Sequence, residues 1–119
     1  MNYFEENPSR LSSWIVEFKA MQSRIHGINK QKGFWDTPRN QGESIALMHS
    51  ELSEALEAIR KNNPPDEHCP GFSSLEIELA DTIIRIMDFA EGFELDLALA
   101  IVAKISYNLM RPHKHGKEF

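Results

Sequence analysis

Two pairs of carboxylates recur in this chain at the same spacing. Glu51 and Glu54 lie in "HSELSEALEA", and Glu78 and Asp81 lie in "EIELADTIIRIMD". On a helix, residues three apart sit about 60° apart around the axis and roughly one turn apart along it. Two such helices packed antiparallel would aim four carboxylates at one volume. Left bare, the four repel one another, and burial raises their pKa values. A hard divalent cation relieves that repulsion. All-oxygen donors suit Mg²⁺, with Mn²⁺ as a substitute, and both ions keep waters and accept phosphate oxygens. Read singly, each pair also fits a solvated helix face. Asp81 and Arg85 fit an i,i+4 salt bridge, which leaves room for a metal beside it.

A second set of residues has phosphate chemistry. Lys104, Tyr107, Asn108 and Arg111 follow i, i+3, i+4, i+7 and form one helical stripe. Lys and Arg bind phosphate oxygens, Lys as a point charge and Arg as a planar fork. The same stripe also fits an outer face with cations near a helix C-terminus, where the dipole favours them. Phe34 and Trp35, with His26, are suited either to stacking on a base or to plugging a core. Other combinations lead nowhere. A di-iron site needs Glu-x-x-His on two helices, and His49 stands two residues before Glu51. His68 and Cys69 have too few neighbours for zinc, and Cys69 lacks the partners of a catalytic triad.

These groups need helices to position them, and the sequence supplies four. The first starts at Asn7-Pro8, carries Leu11, Trp14, Ile15, Phe18 and Ile25 on one face, and is expected to end at Gly27. The segment "INKQKGFWDTPRN" then reads as a loop. The second helix begins near Thr37-Pro38 or Asn40 and runs to about Lys61, where "NNPPDEHCPGF" breaks it. The third opens on a capping box, Ser73 to Glu76, with Phe72 and Ile77 placed as a hydrophobic staple, and stops at Gly92. Its apolar residues cover most of its circumference, so it is expected to be surrounded by protein, with a polar strip of Glu78, Asp81, Arg85 and Asp88. The fourth runs from about Asp96 to Met110. Leu99, Val102, Ile105, Leu109 and Met110 form its apolar face. No segment alternates with period two as a strand would.

The totals agree with one all-α domain over residues 1–119, a bundle of four main helices that is oligomeric because so short a chain buries little alone. The net charge of −5 argues against a nucleic-acid polymer as partner. The single cysteine excludes an internal disulfide and suits a reducing compartment. No apolar run reaches the length of a membrane span, and the acidic N-terminus does not read as a signal peptide. The expectation is a soluble, cytoplasmic protein.

The ordered motifs, Glu-x-x-Glu, then Glu-x-x-Asp, then Lys-x-x-x-Asn-x-x-Arg, resemble those of the MazG-like, all-α nucleoside triphosphate pyrophosphohydrolases. The resemblance covers "GFWDTPRNQGESIALMHSELSEALEA", "EIELADTIIRIMDFA" and "KISYNLMRP". It implies a Mg²⁺-dependent site in a homodimer or homotetramer, and hydrolysis of a (d)NTP to the monophosphate and pyrophosphate. It implies metal ligands at Glu51, Glu54, Glu78 and Asp81, and phosphate contacts at Lys104, Asn108 and Arg111. Trp35 and Asn40, with His26 behind them, are the implied base-side contacts. The chain departs from the family at Ser50, where a further glutamate is common. The tail "HKHGKEF" recurs in some members and is placed to close over phosphates. Two other readings stay open. One is phosphoribosyl-ATP pyrophosphohydrolase or dimeric dUTPase chemistry on the same scaffold. The other is a non-catalytic helical module that binds nucleotide, metal or protein.

Overall fold

The computed structural model describes the backbone of residues 3–119 and the side chains from Glu5 onward. A single turn, α1 (Tyr3–Glu6), precedes four long helices: α2 (Pro8–Gln31), α3 (Gln41–Arg60), α4 (Ser74–Gly92) and α5 (Leu97–Leu109). A short 3₁₀ turn, His113–Gly116, follows. Among the described residues there is no strand, only one isolated bridge between Pro65 and Ser73. Among the described residues no helix is long and apolar enough to cross a membrane.

The helix starts follow the local chemistry. Pro8 occupies the first turn of α2, where its missing N–H costs nothing. Asn40 caps α3, its side chain accepting from the Glu43 N–H at 2.9 Å. Ser73 and Glu76 form the reciprocal capping box of α4. Asp96 caps α5 by accepting from the Leu99 N–H. In the turn after α3, Asn62 and Asn63 adopt left-handed backbone, which asparagine tolerates better than most residues. Asn63 Oδ1 then accepts from the Leu75 N–H at 2.8 Å and ties the end of α3 to the start of α4.

Helix α4 is the centre of the fold, packed against α3 on one side and α2 on another. Asn63 meets Leu75, and Glu51 meets Arg85. That reversed order makes α3 and α4 antiparallel. Among the described residues the buried apolar ones are four alanines, Ala55, Ala58, Ala90 and Ala98, and Met87. Ala55 and Ala58 keep the buried side of α3 thin, and α3 packs closely enough on α4 for Arg85 to reach Glu51.

Two expectations about the elements are corrected. Helix α2 continues through Gly27 to Gln31, so the first four residues of the expected loop are helical. A mid-helix glycine costs about 1 kcal/mol. Here His26 and Gln22 bond to α4 and hold that turn in place. Helix α4 is not enclosed within its own chain, since Leu79 and Ile83 are 43% and 56% exposed. The apolar face of α5 is also open, with Leu99, Ile105, Leu109 and Met110 all exposed. This helix meets the rest of the chain mainly through α2.

Candidate metal centre and cleft

The α3–α4 crossing carries the acidic cluster. One carboxylate oxygen from each of Glu51, Glu54 and Glu78 lies within 4.8 Å of the other two. Glu51 is buried, Glu78 is half-buried and Glu54 is exposed. Oε2 of Glu78 is shielded from solvent and has no hydrogen-bond partner. Burial, then the neighbouring carboxylates of Glu54 and Glu51, push the Glu78 pKa up to about 7. A buried acceptor with no donor, facing two further carboxylates, is the environment a hard cation satisfies. The three residues therefore fit Mg²⁺ or Mn²⁺.

The fourth expected ligand, Asp81, falls outside this trio. One helical turn beyond Glu78, it lies on the wall of the adjoining cleft. Burial and the Glu51 charge raise its pKa, and Arg85 partly offsets them. Arg85 also departs from expectation. Its Nε donates to Glu51 Oε1 at 2.8 Å, across the helix pair, instead of closing an i,i+4 bridge with Asp81. The reason lies in the register of the crossing, which sets Arg85 directly opposite Glu51.

From the cluster a cleft of about 340 Å³ runs towards the α2–α3 connection, lined by Glu51, Asp81 and Arg85 at one end and Phe34, Trp35 and Arg39 at the other. Asp88 organises the far end. It is 3% exposed. Its carboxylate accepts from Trp35 Nε1 at 2.9 and 3.1 Å. His26 Nδ1 lies 2.8 Å from Oδ1, and the Arg39 guanidinium lies 3.6 Å from Oδ2. Arg39 also sits over the Trp35 ring, 5.0 Å from its centroid. Trp35 is seated against Gly92, and Phe93 meets it edge-on. Phe34 projects beside it, 62% exposed.

The other expected contacts are placed as follows. Trp35 lines the cleft, and His26 stands behind it on Asp88. Asn40 spends its side-chain oxygen on the α3 cap. Lys104, Tyr107, Asn108 and Arg111 contribute nothing to the cleft wall of their own chain. They cohere among themselves instead, with Lys104 Nζ and the Arg111 guanidinium 4.7 and 5.6 Å from the Tyr107 ring centroid. In the tail, Arg111 donates to the His115 carbonyl. Two residues that matter here had no role assigned from sequence, Arg39 and Asp88. Asp88 continues the polar strip of α4 one heptad after Asp81, on a helix otherwise apolar, and that was its only signal.

No protein-family model matches the chain, and no curated protein or solved structure is significantly similar to it.

Proposed function

We propose that this protein is a divalent-cation-dependent nucleoside triphosphate pyrophosphohydrolase, converting a (d)NTP to the monophosphate and pyrophosphate. The observation that carries the reading is the convergence of Glu51, Glu54 and Glu78, the first of which lines a cleft whose other end is aromatic. An acidic end suits a metal-bound triphosphate, and an aromatic end suits a base. The motif order, which resembles that of MazG-like enzymes, supports the same reading.

Glu51, Glu54 and Glu78 would hold the cation. When bound, Mg²⁺ neutralises charge on the triphosphate and favours the ionised form of nearby water. The protein's own groups do the rest. Asp81, with its pKa raised by burial and by Glu51, stands beside the cluster and is suited to accept a proton from the water that attacks the α-phosphorus. Arg85 holds Glu51 in place. Asp88 fixes the indole of Trp35, so that Trp35 and Phe34 offer surfaces for a base. Lys104, Asn108 and Arg111 are assigned to the phosphates, where the two cations stabilise the departing pyrophosphate. The working unit is a homodimer or homotetramer.

The test is purified protein with Mg²⁺ and each canonical and damaged (d)NTP, read by pyrophosphate release with a chelator control. Equal amounts of monophosphate and pyrophosphate are expected, and chelation abolishes both. Glu54→Ala is expected to lower kcat/KM by about 10²–10³-fold, the scale seen when one charge-stabilising group is lost. Wild-type rates in that variant would sink the assignment. Binding without turnover across the whole panel would favour a nucleotide-binding module.

A further inference from the structure

We infer that the groove between α2 and the α4–α5 turn is a second ligand site, built for a linear aliphatic diamine or polyamine; the inference is independent of the pyrophosphohydrolase reading.

The groove holds about 490 Å³ and shares no lining residue with the cleft beside the carboxylate trio. That volume lies within the range of small-molecule sites. One of its lining groups is a polar side chain that the protein leaves unanswered. Gln22 lines the groove and is 4% exposed. Its Nε2 donates to Glu91 Oε2 at 3.0 Å. An ionised carboxylate only accepts, so that bond fixes the amide, with the NH₂ towards Glu91 and the carbonyl oxygen left over. Oε1 is buried and has no hydrogen-bond partner. Such an acceptor destabilises the fold until a donor reaches it.

Charge says which donor. Glu91, Glu94 and Asp96 line the groove, with Lys19 as its cation. Asp96 is already engaged: Oδ1 caps α5, and Oδ2 lies 3.5 Å from Lys19. Among the described residues no ion pair involves Glu91 or Glu94. Two carboxylates therefore stay uncompensated beside the orphan oxygen of Gln22. An ammonium group carries the complementary charge and donates three hydrogen bonds.

A metal ion fits these residues less well. Among the described residues, Glu51, Glu54 and Glu78 are the acidic group whose oxygens converge closely enough for one ion, and the groove carboxylates do not. Acceptors spread along a groove suit a cation that is itself extended. The rest of the wall is apolar, formed by Ala20, Leu95, Leu97 and Ala98. Methylenes can lie on those side chains as a lysine stem lies on apolar surface, with one ammonium at Gln22 and Glu91 and another at Glu94. The Gln22–Glu91 bond is also the rung next to His26–Asp88 on the α2–α4 seam. A ligand held there braces the two helices, so binding should raise the melting temperature.

Calorimetric titration of the purified protein with 1,4-diaminobutane, spermidine and butylamine tests this, with Mg²⁺ present to compete for the α3–α4 carboxylates. One site per chain is expected, and the monoamine should bind more weakly than the diamine. Glu91→Gln and Gln22→Met should each weaken binding about 10- to 100-fold, the scale of a hydrogen bond to a charged group. Glu94 has left-handed backbone, φ 58°, which asparagine tolerates better than glutamate. Glu94→Asn should therefore fold at least as well as wild type and still bind the diamine several-fold more weakly. That variant keeps the test sound if a substitution at Gln22 or Glu91 unfolds the chain. Glu57→Gln removes an equal charge from an exposed site on α3 and should bind as wild type does. No binding of the diamine or of spermidine overturns the inference. So does binding that Glu91→Gln and Glu94→Asn leave unchanged, equal weakening by Glu57→Gln, or a monoamine that binds as tightly as the diamine.

Discussion

Glu78 is the residue at which acid–base behaviour and metal binding meet. Its pKa is raised to about 7 by burial and by Glu54 and Glu51, so the folded chain holds a proton that the unfolded chain releases near the ordinary carboxylate value of 4.5. Stability of the metal-free protein should therefore fall as pH rises from about 4.5 through 7, because the native state binds more protons over that range. Saturating Mg²⁺ should flatten this dependence, since the cation takes the proton's place. Thermal melts at pH 5.5 and 8, with and without Mg²⁺, read both effects; a metal-free melting point that rises between those pH values would contradict the assignment. Asp88 is the residue-scale counterpart at the other end of the cleft. Removing its carboxylate leaves Trp35, His26 and Arg39 without their shared acceptor in a buried place. Asp88→Ala should cost about 3 kcal/mol of stability, measured by denaturant titration. Tryptophan fluorescence should report a less confined Trp35.

At the scale of elements, the cleft depends on how closely α4 lets the α2–α3 connection approach. Gly92, at the end of α4, is where Trp35 rests, and a Cβ there would overlap the indole ring. Gly92→Ala should thus push Trp35 off α4, at a cost of about 1–3 kcal/mol typical of overpacking. Under the proposed function, KM for nucleotide should rise more than kcat falls, because the base end is displaced while the carboxylates stay put. Steady-state kinetics on a folded sample distinguish this from general loss of structure. The same scale explains the length of α2. Ordinary helix punctuation would end it at Gly27, yet the turn that leads into it is held on α4, with Gln22 bonded to Glu91 and His26 to Asp88.

At the scale of the whole molecule, the buried apolar core among the described residues, four alanines and one methionine, is thin. Stability resting on an interface between copies is coupled to concentration by mass action. The melting temperature should rise with protein concentration, and sedimentation at micromolar concentration should give a dimer or larger. A monomer with a concentration-independent melting point would show that the exposed faces of α3, α4 and α5 are tolerated without a partner.

The sequence by itself determined the helices and their starts, because capping and hydrophobic periodicity act over a few neighbouring residues: Asn40, Ser73 and Asp96 cap where their spacing indicates. It also determined that Glu51 and Glu54 share a helix face, since spacing along one helix fixes angle. Only the tertiary structure decided which carboxylates meet. The α3–α4 register brings Glu78 to the first pair, leaves Asp81 on the cleft wall and turns Arg85 onto Glu51. Asp88 became a centre only when α2 and the Trp35 loop folded over α4. Distances between helices come from the fit of whole surfaces, a sum over many weak contacts that no local spacing encodes.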